Sequence, residues 1–160
     1  MLLREYDFYL ADTDGAKSIH YNLRYQVYCL REKFEEPSNF PSFLEQDKYD
    51  NRSAHFIARS RATGEWLGAM RLIIASVDKL PISTLASLDT NQVAAVMRKR
   101  AAEASRLCTL MPTSVRGRFA SHSETAKRYI APHRLVSNAL HASTIAVGLI
   151  GAARQYCLRH

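Results

Sequence analysis

Glycine and proline are scarce in this chain, six and five among 160 residues, and no internal repeat or low-complexity tract interrupts it. That excludes collagen-like, linker-like and largely disordered readings. No run of about eighteen apolar residues is present, so a membrane-spanning helix is not expected. The start, Met1-Leu2-Leu3-Arg4-Glu5, turns charged at once and lacks the apolar core of a secretory leader. A cytoplasmic protein is expected. Cysteine is limited to Cys29, Cys108 and Cys157, an odd number set far apart, which fits reduced thiols better than a disulfide framework or a zinc site. His20, His55, His122, His133, His141 and His160 form no ligand motif, and none stands at a triad spacing from Ser105. Hydrolase and metalloenzyme chemistry are thereby disfavoured, and no metal is expected.

Acidic residues are also in short supply. Fifteen Asp and Glu against 22 Lys and Arg leave a formal charge of +7, which favours an acidic partner: nucleic acid, a phosphate-bearing cofactor or an acidic carrier protein. Arg98-Lys99-Arg100, Arg116-Gly117-Arg118 and Lys127-Arg128 all fall after residue 95, whereas acidic residues gather between Glu32 and Asp50. The length suits one domain over residues 1–160.

Alternation over Glu5-Tyr6-Asp7-Phe8-Tyr9-Leu10 predicts a first strand ending at Asp12-Thr13-Asp14-Gly15. From Ala16 the period changes. Ile19, Leu23, Val27 and Leu30 follow helical spacing, and Arg24 and Tyr28 share a neighbouring face. Pro37, Asn39 and Pro41 predict a loop from Phe34 to Arg52. Residues 54–59 and 65–74 flank Arg61-Ala62-Thr63-Gly64, the pattern of an antiparallel hairpin. In its second strand Leu67, Ala69, Arg71 and Ile73 share one face, and Gly68, Met70, Leu72 and Ile74 the other. Two apolar faces predict a central strand. A short helix from Asp89 or Thr90 to Met97, a strand from Ala102 to Leu110 and a long apolar helix from His133 to Tyr156 complete the pattern. Such a helix is expected to lead into a further strand, so the chain is read as lacking C-terminal strands of its fold.

Charges recur inside or beside this apolar sequence: Arg24, Asp47-Lys48-Tyr49-Asp50, Arg71 and Glu103-Ala104-Ser105-Arg106. A charge on an apolar strand costs several kcal/mol unless it is paired, so these groups are expected to meet, either in a functional site or in an ion-pair lattice that only holds the fold. Glu103 and Ser105 share a strand face. Arg106 takes the opposite face unless a bulge turns it.

Five segments, Arg24-Tyr25-Gln26-Val27-Tyr28-Cys29, Glu45-Gln46-Asp47-Lys48-Tyr49-Asp50, His55-Phe56-Ile57-Ala58, Gly68-Ala69-Met70-Arg71-Leu72-Ile73 and Glu103-Ala104-Ser105-Arg106-Leu107, occur in an order and spacing that resemble the autoinducer synthase superfamily. Tyr28-Cys29 and the segment from Phe34 to Phe43 look most similar to the acyltransferases associated with exosortase/PEP-CTERM systems, and next to N-acyl amino acid synthases. The resemblance implies an α/β GNAT-type fold, a mixed twisted sheet flanked by helices, that transfers a fatty acyl group from acyl-carrier protein or acyl-coenzyme A to an amine, expected to be amino acid-like. It places Arg24, Tyr28, Phe34, Asp47, Asp50, Arg71 and Arg106 around the acceptor. Homoserine-lactone synthesis with S-adenosylmethionine ranks below this, because those relatives usually carry Phe and Trp where Tyr28 and Phe34 stand. A basic nucleic-acid-binding module would account for the charge but not for Arg71 and Glu103 within strands.

The residues admit a matching chemistry. Glu103 can take a proton from the acceptor ammonium, with Ser105 beside it, or it can merely pair with Arg71 or Arg24. Asp47 and Asp50 can present two carboxylates to a cationic amine or cap a turn, while Arg24 and Arg71 either orient them or clasp an acceptor carboxylate. Arg98, Lys99 and Arg100 can steer an acidic carrier, and Arg116 and Arg118 can meet donor phosphates.

Overall fold

In a computed structural model, the described residues are 2–75, 80–85, 101–111 and 132–160, with side chains at 2, 84–85 and 132–137 left aside. Four strands, β1 (Tyr6–Leu10), β2 (Ser53–Ser60), β3 (Trp66–Ala75) and β4 (Ala101–Thr109), form one sheet in the order β1-β2-β3-β4, every pairing antiparallel. Helix α1 (Asp14–Arg24) follows β1; a short turn of helix, α2 (Ile82–Leu85), precedes β4; and α3 (Pro132–Arg159) ends the chain. This is the α/β architecture expected, with the hairpin turned at Gly64, whose φ of 72° suits glycine. The helix expected near residues 89–97 lies outside the described residues.

Strand β3 is buried from Leu67 to Ile73, as a central strand with two apolar faces requires. Period two separates those faces. Gly68 meets Ile145 and Leu149 of α3, whereas Arg71, opposite His55 of β2, looks toward α1, where His20 and Tyr21 stack on the His55 ring. The two helices therefore cover opposite sides of the sheet. Phe56, Met70, Leu72, Ile145 and Leu149 fill one side, and Leu23, Val27, Leu67 and Ala69 help fill the other.

Thr13 caps α1, its hydroxyl accepting the Ala16 N–H at 3.3 Å. After Arg24 the helix widens into a π-helical stretch, Tyr25–Arg31, closed by a 2.8 Å bond from the Glu32 N–H to the Val27 carbonyl. The wider turn corrects one expectation. Leu30, placed on the apolar face by α-helical spacing, is 54% exposed, while Tyr25, Val27 and Cys29 turn inward.

Strand β4 contains the second irregularity. Ala69 pairs with Cys108 and Arg71 with Ser105, so two steps along β3 match three along β4, and an extra residue bulges between. Arg106 sits in that bulge with φ at 52°, left-handed for a residue that carries a Cβ. The bulge turns its side chain to the α1 side, where strict alternation would have denied it a place beside Ser105.

Candidate active site

The site begins in the loop before β2. Asp47 and Asp50 form a self-bonded turn: the Asp47 carboxylate accepts the Tyr49 N–H at 2.8 Å and the Asp50 carboxylate accepts the Asp47 N–H at 2.7 Å. His55 tethers the turn to the sheet through its Nε2 and the Asp50 carbonyl at 3.1 Å. The remaining oxygens of both carboxylates face arginines.

Arg24, brought in by the last turn of α1, has no solvent exposure. Its Nε donates to Glu45 and its Nη1 to Asp50 at 2.6 Å. Arg71 of β3, 2% exposed, donates from one Nη1 to Asp47 at 2.5 Å and to Asp50 at 2.9 Å, and from Nε to the Ser105 hydroxyl at 3.1 Å. Two buried guanidiniums thus lie against buried carboxylates of Glu45 and Asp50, the compensation that makes burial of so much charge tolerable. Tyr49 lies beneath the Arg71 guanidinium, 5.8 Å from the ring centre.

These contacts set the ionisation. Burial alone would raise the Asp50 carboxyl, but the hydrogen bond and charge of Arg24, the Asp47 N–H and the charge of Arg71 outweigh it and hold it below its usual range. Burial likewise works against the Arg24 charge, yet Glu45 and Asp50 hold its proton more tightly than usual. His20 and His55, next to Arg24, are pushed the other way. Burial first and the Arg24 charge next lower His20 well below its ordinary value, and burial lowers His55. Both imidazoles are neutral beneath the cluster.

Arg106 closes the outer side. Its Nη2 reaches Glu35 at 3.1 Å, Glu45 at 3.2 Å and Asp47 at 3.6 Å, and its guanidinium stacks 5.1 Å from the centre of the Tyr28 ring. Tyr28 in turn donates to the Leu107 carbonyl of β4 at 3.3 Å and lies 6.0 Å from the Phe34 ring. Beyond these aromatics opens a cavity of about 430 Å³ between the π-helical turn, β4 and α3, lined among others by Phe34, Leu107, Cys108 and Ala146. Burial pushes the Cys108 thiol up to about 12, so it lines this space as an inert apolar group.

The structure therefore brings together Arg24, Asp47, Asp50, Arg71, Ser105 and Arg106, with Tyr28 and Phe34 at the border of the cavity. Glu103 stands apart from the ion pairs. It shares the sheet face of Arg71 and Ser105, opposite Ile73, but its carboxylate accepts the Ile82 N–H at 2.9 Å and pairs with no arginine among the described residues. Of the two alternatives for Arg24 and Arg71, orienting the Asp47 and Asp50 carboxylates is what their contacts do. Arg98, Lys99, Arg100, Arg116 and Arg118 lie outside the described residues.

Two members were not anticipated as site residues. Glu45 is 1% exposed and bridges Arg24 to Arg106, and Glu35 reaches Arg106 from the loop. A third acid in Glu45-Gln46-Asp47-Lys48-Tyr49-Asp50, beside Asp47 and Asp50, was the available signal for Glu45. Nothing local distinguishes Glu35 from its acidic neighbours Glu32 and Glu36.

A family model described as an acetyltransferase (GNAT) domain matches residues 23–122. The matched stretch contains every residue of the cluster, from Arg24 to Arg106. No curated protein and no solved structure matches the chain.

Proposed function

The chain belongs to the GNAT acetyltransferase family, an N-acyltransferase class that draws on acyl-coenzyme A, and from that membership we propose that it joins a fatty acyl group to the nitrogen of an amino acid-like amine. The observation that carries this reading is one of adjacency. The cavity of about 430 Å³, largely apolar but also lined by Arg31 and Glu32, lies within the range of small-molecule sites, and the stack of Tyr28 on Arg106 forms its boundary with a carboxylate-rich polar cluster. An acyl chain suits the first space and an amine the second. The autoinducer-synthase-like order of segments supports the finer assignment to a fatty acyl donor, on coenzyme A or on acyl-carrier protein.

In such a transfer the amine nitrogen attacks the thioester carbonyl, a C–N bond forms, the C–S bond breaks and the thiol departs with a proton. The amine must first lose its own proton. Glu103 is the group we assign to that step, because among the described residues its carboxylate accepts a neutral N–H and pairs with no arginine, whereas those of Asp47, Asp50 and Glu45 are committed to arginines. Ser105 holds the Arg71 side chain through its Nε. Arg71 then fixes the two aspartates. The enclosed, paired network keeps these groups in place without reorganisation as charge develops, the condition under which electrostatic assistance is largest.

Mass spectrometry of lipid extracts tests this directly, comparing cells that express the chain with cells that express Glu103→Gln. A new N-acyl amide that is lost in the variant, or reduced by the ~10²–10⁴ typical of a general base, is the expected result and names both substrate halves. An amide made equally by the variant would remove Glu103 from the chemistry, and no amide from the wild-type chain or from purified protein supplied with acyl thioesters and amines would overturn the acyl-transfer reading.

A further inference from the structure

Helix α3 carries apolar side chains on both of its faces. Ile145, Leu149 and Ala153 are buried on the sheet side, whereas Leu140, Val147 and Ile150 look outward at 47%, 59% and 52% exposure. With Ser143, Arg154 and Cys157, all exposed, the outward residues recur at alternating steps of three and four, the a and d positions of a heptad seam. That spacing is the one by which a helix meets another helix. Gly151, beside Ile150, has no reason within the chain: among the described residues nothing lies within 4 Å of where its Cβ would stand, although a mid-helix glycine costs about 1 kcal/mol. Bare backbone at that point suits close approach from outside.

The seam is complementary to itself. An antiparallel copy set so that Val147 faces Ile150 also sets Leu140 against Cys157 and Ser143 against Arg154, so every a position meets a d position, as a twofold contact requires. Charge agrees with this register. Helix α3 holds no acidic residue, and the Arg154 side chains of the two copies stand eleven residues apart along the axis, about 16 Å, beyond the ~8 Å screening length at physiological salt. Ser143 also lines the cavity of about 430 Å³ with Glu32, whose Oε1 pairs with Arg31, so the Arg154 of a second copy arrives where that cavity carries an acid. We propose that α3 pairs with α3 of a second copy, antiparallel about Val147 and Ile150, and that each copy lends its Arg154 to the rim of the other's cavity. The seam is about 26 Å long and ~10 Å wide, roughly 260 Å² per copy against the ~800 Å² of a standard stable interface. The dimer is therefore weak and reversible. Its existence does not depend on the acyl-transfer reading.

Sedimentation velocity of the purified full chain, from about 5 μM to about 1 mM, tests the pairing, and the wild type should pass reversibly from monomer to dimer across that range. Val147→Asp, at a position exposed in the single copy, should leave the circular dichroism spectrum unchanged and weaken dimerisation at least about tenfold, because each half would then bury an unpaired carboxylate. Should that variant fail to fold, Ile150→Lys is measured in its place. Ser143→Glu should act the other way, tightening the dimer roughly threefold to thirtyfold, since each half gains an ion pair with the Arg154 of the other, and adding Arg154→Ala should remove the gain. A monomer at every concentration, or a dimer indifferent to Val147→Asp, overturns the pairing and leaves the seam to a different protein or to a further segment of a longer chain. A dimer that Ser143→Glu fails to tighten overturns the register, and with it the placing of Arg154 at the cavity.

Discussion

Replacing Arg24 by methionine removes the guanidinium while keeping most of the stem volume, and so isolates the charge network from packing. The side chain has no exposure, and its loss deprives Glu45 and Asp50, 1% and 6% exposed, of their innermost cation. Breaking a buried pair on one side typically costs ~3–5 kcal/mol. The lower end applies here, because each carboxylate retains a second cation, Asp50 from Arg71 at 2.9 Å and Glu45 from Arg106 at 3.2 Å. With a urea slope in the usual range of ~1–3 kcal/mol per molar, a loss of about 3 kcal/mol lowers the unfolding midpoint by roughly 1.5 M with the slope unchanged. Adding Glu45→Gln to Arg24→Met should return part of the loss, since the stranded charge is then gone. Arg61→Ala, which breaks the exposed pair with Asp7, serves as the control and should cost under about 1 kcal/mol. An Arg24→Met cost as small as the control's would refute the claim that the cluster is buried and structurally committed.

Two further outcomes follow from the packing and the ionisation states. A Cβ at Gly68 would stand 2.4 Å from Ile145 and 3.2 Å from Leu149, so Gly68→Ala should lower stability by ~1–3 kcal/mol, and an unchanged urea midpoint would show that α3 does not seat on β3 as described. His20 and His55 have folded-state pKa values lowered below the ordinary one, so the unfolded chain binds more protons as pH falls through the ordinary histidine range. Stability is therefore full above about pH 6.5 and declines below it, by up to about 1.4 kcal/mol per histidine per pH unit until the folded value is reached. The surrounding groups are Arg24, Asp50 and Lys17, and burial outweighs the favourable carboxylate. Urea titrations at several pH values check this, and a flat profile from pH 5 to 7 would contradict neutral burial of the pair.

Much of the fold was legible in local sequence because the signals are local. The glycine-bearing turn with alternating flanks predicted the β2–β3 hairpin, and two apolar faces predicted that β3 lies inside the sheet. Leu30 was misplaced for a physical reason: i, i+3 and i+4 spacing presumes α-helical turns, and a single π-helical segment rotates every later residue. Arg106 could be read only conditionally, since whether a strand carries a bulge depends on its partner's register. Glu45 and Glu35 escaped notice because an acidic residue in a loop resembles any solvated charge until its neighbours from other elements are known.

Composition and periodicity by themselves determined that this chain makes an α/β domain with strands that carry buried charge, because hydrophobic pattern follows backbone repeat and an apolar strand tolerates an arginine only beside an anion. Which anion, and which oxygen of it, was decided by tertiary structure. Arg24, Asp47, Asp50, Arg71 and Arg106 stand on four separate segments, and only chain closure sets guanidinium nitrogens at 2.5 to 3.6 Å from particular carboxylate oxygens. Coulombic pairing at that range depends on ångström separations that residue order does not contain.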